Sequence, residues 1–259
     1  VNPILPDPRE PSVGPDDPVG CDPSALPAPP RPDALEGENV SVLEGRFAFV
    51  QAARGWRFGS DAVMLARHVF DGPQGDLLEI GTGCGVVPVL LAGWGWQGSI
   101  TAIEVQPDLA DRARRNVVAN GCGSAVAIVE GDARRHRDLL PPGTFARVIA
   151  NPPYWRLGSG RTNPHPERAV ARHEFLLDVP SLLAIIRDRV APGGLATVLY
   201  PPERMPDLRG AVDAAGLSVV RTVDLIPAPG RPAEVVLIDI APGRGLPRAA
   251  SSWCLIGRT

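Results

Sequence analysis

Lysine is absent from this chain, and all 26 of its Lys-or-Arg positions are arginine. Arginine carries a planar fork of donors suited to phosphate contacts and base stacking. A complete absence of lysine nevertheless fits a GC-rich genome better than a selected function. Long apolar runs are missing too. None approaches the roughly 20 residues of a membrane-spanning helix, and no basic-then-apolar leader opens the sequence. The four cysteines, Cys21, Cys84, Cys122 and Cys254, are scattered without a Cys-x-x-Cys pair. That spacing offers no zinc site and no disulfide framework. A reducing cytoplasm fits these features, and no metal is expected. No internal repeat is found. Val1 in first position fits a fragment or a literally translated alternative start codon.

What is present divides unevenly. The net charge of −3 hides nine acids and two arginines in residues 1–44, against 20 acids and 24 arginines in the remainder. The body of the chain is therefore mildly basic, which permits RNA binding without demanding it. Residues 1–38 hold 11 prolines and no hydrophobic periodicity, the composition of a disordered acidic tail. Residues 39–245 are long enough for one domain. The segment 246–259, after Pro242, reads as a loose C-terminal extension.

Within that domain, short apolar runs alternate with helical patterns. Strands are expected at residues 76–80, 99–104, 125–129, 145–150, 195–200, 217–225 and 234–240. Helices are expected at 60–70, capped by Ser60, at 86–92, from Pro107 with Leu109, Ala113 and Val117 on one face, at 180–190 and at 206–215. Ala191-Pro192-Gly193-Gly194 breaks the fourth of these. The alternation predicts an α/β, doubly wound, Rossmann-like sheet with helices on both faces.

The chemistry-bearing residues fall at strand ends. The first strand carries Glu79 and runs into Gly81-Thr82-Gly83-Cys84-Gly85, where glycines let backbone approach a ligand at a helix N-terminus. The third glycine comes one residue early for the dinucleotide fingerprint Gly-x-Gly-x-x-Gly, so a nicotinamide-dependent oxidoreductase is disfavoured. The second strand ends in Glu104, placed to accept both hydroxyls of a ribose. The third leads to Asp132, which alone reads as a turn or cap residue and in company as an acceptor for a purine amine. The fourth ends in Asn151-Pro152-Pro153-Tyr154. There an amide, a rigid turn and an aromatic ring meet at a site-forming edge, a combination suited to methylating a planar nitrogen. The loop beyond holds Trp155, Arg156, Arg161 and His165, with Arg168, Arg172 and His173 close behind. Arginines beside a base pocket suit the phosphates flanking a target nucleotide.

These residues resemble the class I S-adenosylmethionine-dependent methyltransferases, and the tetrad is similar to that of enzymes acting on adenine N6, cytosine N4 or a glutamine amide. Residues 55–66, with Asp61, and 171–183 resemble segments of bacterial tRNA1(Val) adenine-N6 methyltransferases. The resemblance covers about residues 45–242. It implies a seven-stranded sheet of order 3-2-1-4-5-7-6 with strand 7 antiparallel. It implies S-adenosylmethionine held by Asp61, Glu79, Gly81, Gly83, Gly85, Glu104, Asp132 and Asn151, with catalysis by Asn151, Pro152, Pro153 and Tyr154. RNA, expected to be tRNA, would meet Arg156, Arg161, Arg168, Arg172 and His173, and a monomer is expected. Asp61 reads equally as a complement to its helix dipole. Three alternatives stay open. A glutamine-N5 methyltransferase of release factors shares the tetrad, although such enzymes usually carry a helical domain in front. A DNA adenine methyltransferase would need a target-recognition domain. A non-catalytic cofactor- and RNA-binding scaffold would have no use for an intact tetrad.

Overall fold

The computed structural model describes residues 32–54, 57–152, 177–243 and 249–254. The chain opens with a hairpin, β1 (Glu38–Leu43) and β2 (Phe47–Ala52), that sequence patterning did not reveal. Helix α1 (Ser60–Phe70) follows, then β3 (Leu77–Ile80), α2 (Val86–Trp94), β4 (Ile100–Glu104), α3 (Pro107–Ala119), β5 (Val126–Glu130), a 3₁₀ turn, the single turn α4 (His136–Leu139) and β6 (Phe145–Ala150). After the tetrad come α5 (Val179–Arg189), β7 (Val190–Tyr200), α6 (Met205–Ala214), β8 (Leu217–Ile226), β9 (Val235–Pro242) and β10 (Ala249–Cys254).

Eight of the strands form one sheet in the order β10-β8-β9-β7-β6-β3-β4-β5. Counting from β3, the first seven follow 3-2-1-4-5-7-6, and β9 runs antiparallel to both neighbours. The expected seven-stranded count is corrected by β10, which pairs parallel with β8. Part of the segment read as a loose extension is thus sheet. Two further readings change. Ser60 does not cap α1, whose N-cap is Gly59 without a side-chain bond. Ala191-Pro192-Gly193-Gly194 does not separate helix from strand, because β7 begins at Val190 and the glycines are absorbed where its register against β6 shifts.

The sheet is covered on both faces. One face, with Leu77, Ile100, Ile149 and Leu237, packs with α1, α2 and the hairpin's Phe47 and Phe49. The other, with Leu78, Val148, Val198 and Ile238, packs with α5 and α6. Continuous burial on both faces explains why the strands read as unbroken apolar runs rather than alternations.

The hairpin docks through α3, and here the expected face is corrected. The buried positions are Ala110, Ala113, Asn116 and Val117, not Leu109. The Asn116 amide accepts from the Val50 N–H at 2.7 Å and donates to the Val50 carbonyl at 3.1 Å. Asn120 repeats this with the N–H and carbonyl of Ala48, at 3.0 and 2.8 Å. Four helical residues rise about 6 Å and two strand residues about 6.6 Å. An i, i+4 pair of amides therefore matches alternate residues of β2 and stands in for a neighbouring strand.

Phe47 also closes against α2. A Cβ on Gly93 would lie 2.2 Å from the Phe47 ring. Gly93→Ala should therefore destabilise by about 1–3 kcal/mol, read as a lowered urea midpoint.

A buried polar chain pins α1 to the sheet. His68 of α1 places Nε2 at 3.0 and 2.9 Å from the two Asp239 oxygens. The Thr197 hydroxyl donates to Asp239 at 2.6 Å, and Arg147 donates to that hydroxyl at 2.7 Å. Burial pushes the Asp239 carboxyl up, but His68 and Thr197 outweigh it and hold it below the usual carboxylate range. With its C-terminal half tied to β9, α1 delivers its first turn to the carboxyl end of β6.

Candidate functional site

The carboxyl ends of β3, β4, β5 and β6 meet at the point where strand order reverses, the place where open α/β sheets bind ligands. A partly open cleft lies there. Its walls are Ile80, Gly81, Ile103, Val105, Gly131, Asp132, Ala133, Arg134, Pro152 and Leu177.

Gly85 shows why the loop needs glycine. Its φ is 80°, and a Cβ there would stand 3.1 Å from the Ala113 side chain and 3.2 Å from its Cα. The loop lies that close to α3. Asn116 adds a tie by donating to the Cys84 carbonyl at 2.8 Å. Cys84 itself is buried, which pushes its thiol up to about 12, so it is unreactive.

Two acids lie beneath the loop. Glu104 is buried, accepting from the Gly83 N–H at 2.8 Å and the Gln106 N–H at 3.0 Å. Burial raises its pKa despite those bonds. Glu79 accepts from the Thr82 hydroxyl at 2.5 Å. Burial pushes its carboxyl up to about 7, the Thr82 bond opposes this, and the charge of Glu104 adds to it. Neither side chain lines the cleft wall itself.

The raised Glu79 pKa has a consequence for stability. The unfolded chain ionises this group near 4.5 and the folded protein near 7. Stability is full below pH 4.5, is lost as pH rises toward 7, and then levels off. The loss is about 3 kcal/mol for one such group. Glu79→Gln should flatten this slope, so the variant's melting temperature gains on wild type at pH 8 but not at pH 4.5.

Asp132 lines the cleft but is already engaged. It accepts from the Arg134 N–H at 2.9 Å and from the guanidinium at 2.5–2.9 Å. That guanidinium holds its carboxyl below the usual range. Sequence reasoning missed Arg134, though an acid two residues before an arginine at a strand end is a visible signal.

Asn151 and Pro152 emerge from β6, with Pro152 on the cleft wall. Asp61 does not line the cleft; its carboxylate accepts from the Asn151 amide nitrogen at 3.1 Å. Pro153, Tyr154, Trp155, Arg156, Arg161, His165, Arg168, Arg172 and His173 lie outside the described residues. Among the described residues, no three His, Cys, Asp or Glu side chains group as metal ligands do. No helix there is long and apolar enough to cross a membrane.

A sheet of this kind, with a glycine loop and strand-end acids at its switch point, resembles the Rossmann-like α/β fold of known methyltransferases. Comparison with known proteins agrees. The family model for protein-L-isoaspartate(D-aspartate) O-methyltransferase matches residues 62–141. That stretch ends before β6 and so bears on the glycine-loop half alone. A predicted O-methyltransferase of known structure from Agrobacterium tumefaciens superposes with a TM-score of 0.55 at 19% identity, covering 74% of this chain and 85% of that one.

In sequence, the chain is similar in particular to enzymes named tRNA1(Val) (adenine(37)-N6)-methyltransferase. One from Porphyromonas gingivalis is 30% identical over 170 residues, 63% of this chain and 66% of the relative. One from Bacteroides fragilis is 28% identical over 183 residues, 71% and 76%. The match thus spans just under two thirds of the first relative's length and about three quarters of the second's.

Proposed function

We propose that this protein transfers a methyl group from S-adenosylmethionine to the exocyclic N6 amine of an adenine in tRNA. The observation that carries the reading is the position of Asn151 and Pro152. They leave β6 beside a cleft bordered by Gly81 of the glycine loop and by Asp132.

The cleft suits the cofactor. Gly81, at φ 74°, has no atom within 4 Å of where a Cβ would stand, so its backbone borders open space. Ile80, Ile103, Val105, Ala133 and Leu177 offer aliphatic walls to a flat purine, with the Asp132 carboxylate at the edge. By resemblance Glu104, which lies behind the cleft wall, would turn to the ribose hydroxyls with the lone pairs its backbone bonds leave over. When bound, the cofactor supplies a methyl group on a sulfonium, an electrophile that needs no metal.

The residues of this chain then have to position and polarise the acceptor. An adenine amine is a weak nucleophile because its lone pair is delocalised into the ring. The Asn151 Oδ1 and the Pro152 carbonyl each accept one of its N–H groups, which pyramidalises the nitrogen and localises the lone pair. Tyr154, by resemblance, stacks on the base, a contact worth roughly 1–3 kcal/mol. The proton leaves after transfer, so a neutral amide suffices. The target has to be unstacked to reach the cleft, which favours a tRNA loop over a duplex. Arg156, Arg161, Arg168, Arg172 and His173 would hold the flanking phosphates.

The test is transfer of labelled methyl to total tRNA from cells lacking this protein, followed by nuclease digestion. N6-methyladenosine is the expected product. Label on a release factor and none on tRNA would overturn the RNA reading in favour of a glutamine amide.

A further inference from the structure

The Asn151 side chain has two faces, and only one of them can serve the acceptor. An amide presents a carbonyl oxygen that accepts and a nitrogen that donates. A target amine needs the oxygen. A rotation of about 180° about the last side-chain bond would present the nitrogen instead, setting donor against donor. The terminal torsion of asparagine is broad and roughly two-fold, so the side chain's own preferences do not select the working face.

Asp61 selects it. Its Oδ2 stands 3.1 Å from the Asn151 nitrogen. An ionised carboxylate accepts and never donates, so the amide has to turn its nitrogen toward Asp61 and its oxygen away. Asp61 lies in the first turn of α1, and α1 is pinned to the sheet by His68 on Asp239. Its other oxygen, Oδ1, stands 2.6 Å from where a Cβ on Gly59 would lie. The space beside Oδ1 is therefore left open by the missing side chain at Gly59, while Oδ2 meets Asn151.

We infer that Asp61 is a positioning residue for methyl transfer, fixing the Asn151 amide so that its oxygen faces the acceptor nitrogen, rather than a cofactor ligand. The inference rests on the proposed role of Asn151 but not on which planar nitrogen is methylated.

Three substitutions and three readouts test it. Asp61→Ala should lower kcat by on the order of 10–10²-fold, a partial form of the loss seen on removing a preorganised contact. Affinity for S-adenosylmethionine should be unchanged by calorimetry. Asp61→Asn, whose own amide can present either its oxygen or its nitrogen to Asn151, should restore turnover only in part. Gly59→Ala leaves Asp61 in the sequence but displaces its carboxylate. Gly59 has an ordinary extended backbone, φ −108°, so this variant should fold normally and reproduce the Asp61→Ala defect. The third readout needs no substrate. In ¹⁵N spectra, the Asn151 side-chain NH₂ should show slowed exchange in wild type and lose it in Asp61→Ala.

A weakened cofactor affinity in Asp61→Ala, with kcat unchanged at saturating cofactor, would overturn the inference and make Asp61 a cofactor ligand. If wild type methylates a release factor and not tRNA, the RNA reading fails while the same variants test Asp61 on that acceptor. If wild type methylates neither, the NH₂ exchange still decides whether Asp61 holds the amide.

Discussion

Asn151→Ala should bind S-adenosylmethionine as wild type does and transfer its methyl group on the order of 10²–10³-fold more slowly. Affinity should survive because the cleft is built from other elements: the ends of β3, β4 and β5 and the turns that follow them, with Pro152 as the contribution of β6. Removing the amide deletes one acceptor for the target amine, and water admitted in its place is not held in a fixed orientation. The change falls on the transition state, where the nitrogen is becoming tetrahedral, more than on the ground state. The loss should therefore appear in kcat, with the KM for RNA changed little. Parallel loss of cofactor affinity and turnover would move Asn151 into the cofactor site. Undiminished turnover would remove it from the chemistry.

The parts of this molecule that were legible in sequence are those whose signal is local. Buried parallel strands show themselves as apolar runs, and the glycine loop and tetrad follow them directly, so strand, loop and site residue are read together. Pro107 at the start of α3 is equally local. The parts that were missed depend on partners far along the chain. Asp61 and Asn151 are 90 residues apart, and nothing near either predicts their contact. Asp132 alone read as a cap residue, and it does accept from the Arg134 N–H, but its pairing with the Arg134 guanidinium went unread. The hairpin was passed over because no residue of β1 is fully buried while every residue of β2 is, so neither strand carries a clean alternation. Glu79 reads as an ordinary acid until burial beside Glu104 makes it titrate near neutrality.

The largest stability effect is expected at a residue with no part in the chemistry. Asn116 is fully buried and its side chain makes three hydrogen bonds, all to backbone: the N–H and carbonyl of Val50 and the carbonyl of Cys84. Asn116→Leu keeps the volume and leaves those three groups buried without a partner. Each unsatisfied group costs about 1–3 kcal/mol, so a loss of about 3 kcal/mol or more is expected in urea unfolding. Asn120→Leu removes bonds to Ala48 at a half-buried position, where water can replace them, and should cost about 1 kcal/mol. The two variants should also differ at the site. Only Asn116 holds the Cys84 carbonyl, which sits next to the close approach of Gly85 to Ala113. Asn116→Leu should therefore weaken cofactor affinity in calorimetry below its unfolding range, and Asn120→Leu should leave it unchanged. Equal destabilisation of the two with full cofactor affinity in both would mean that the glycine loop is held by its own turn geometry and not through α3.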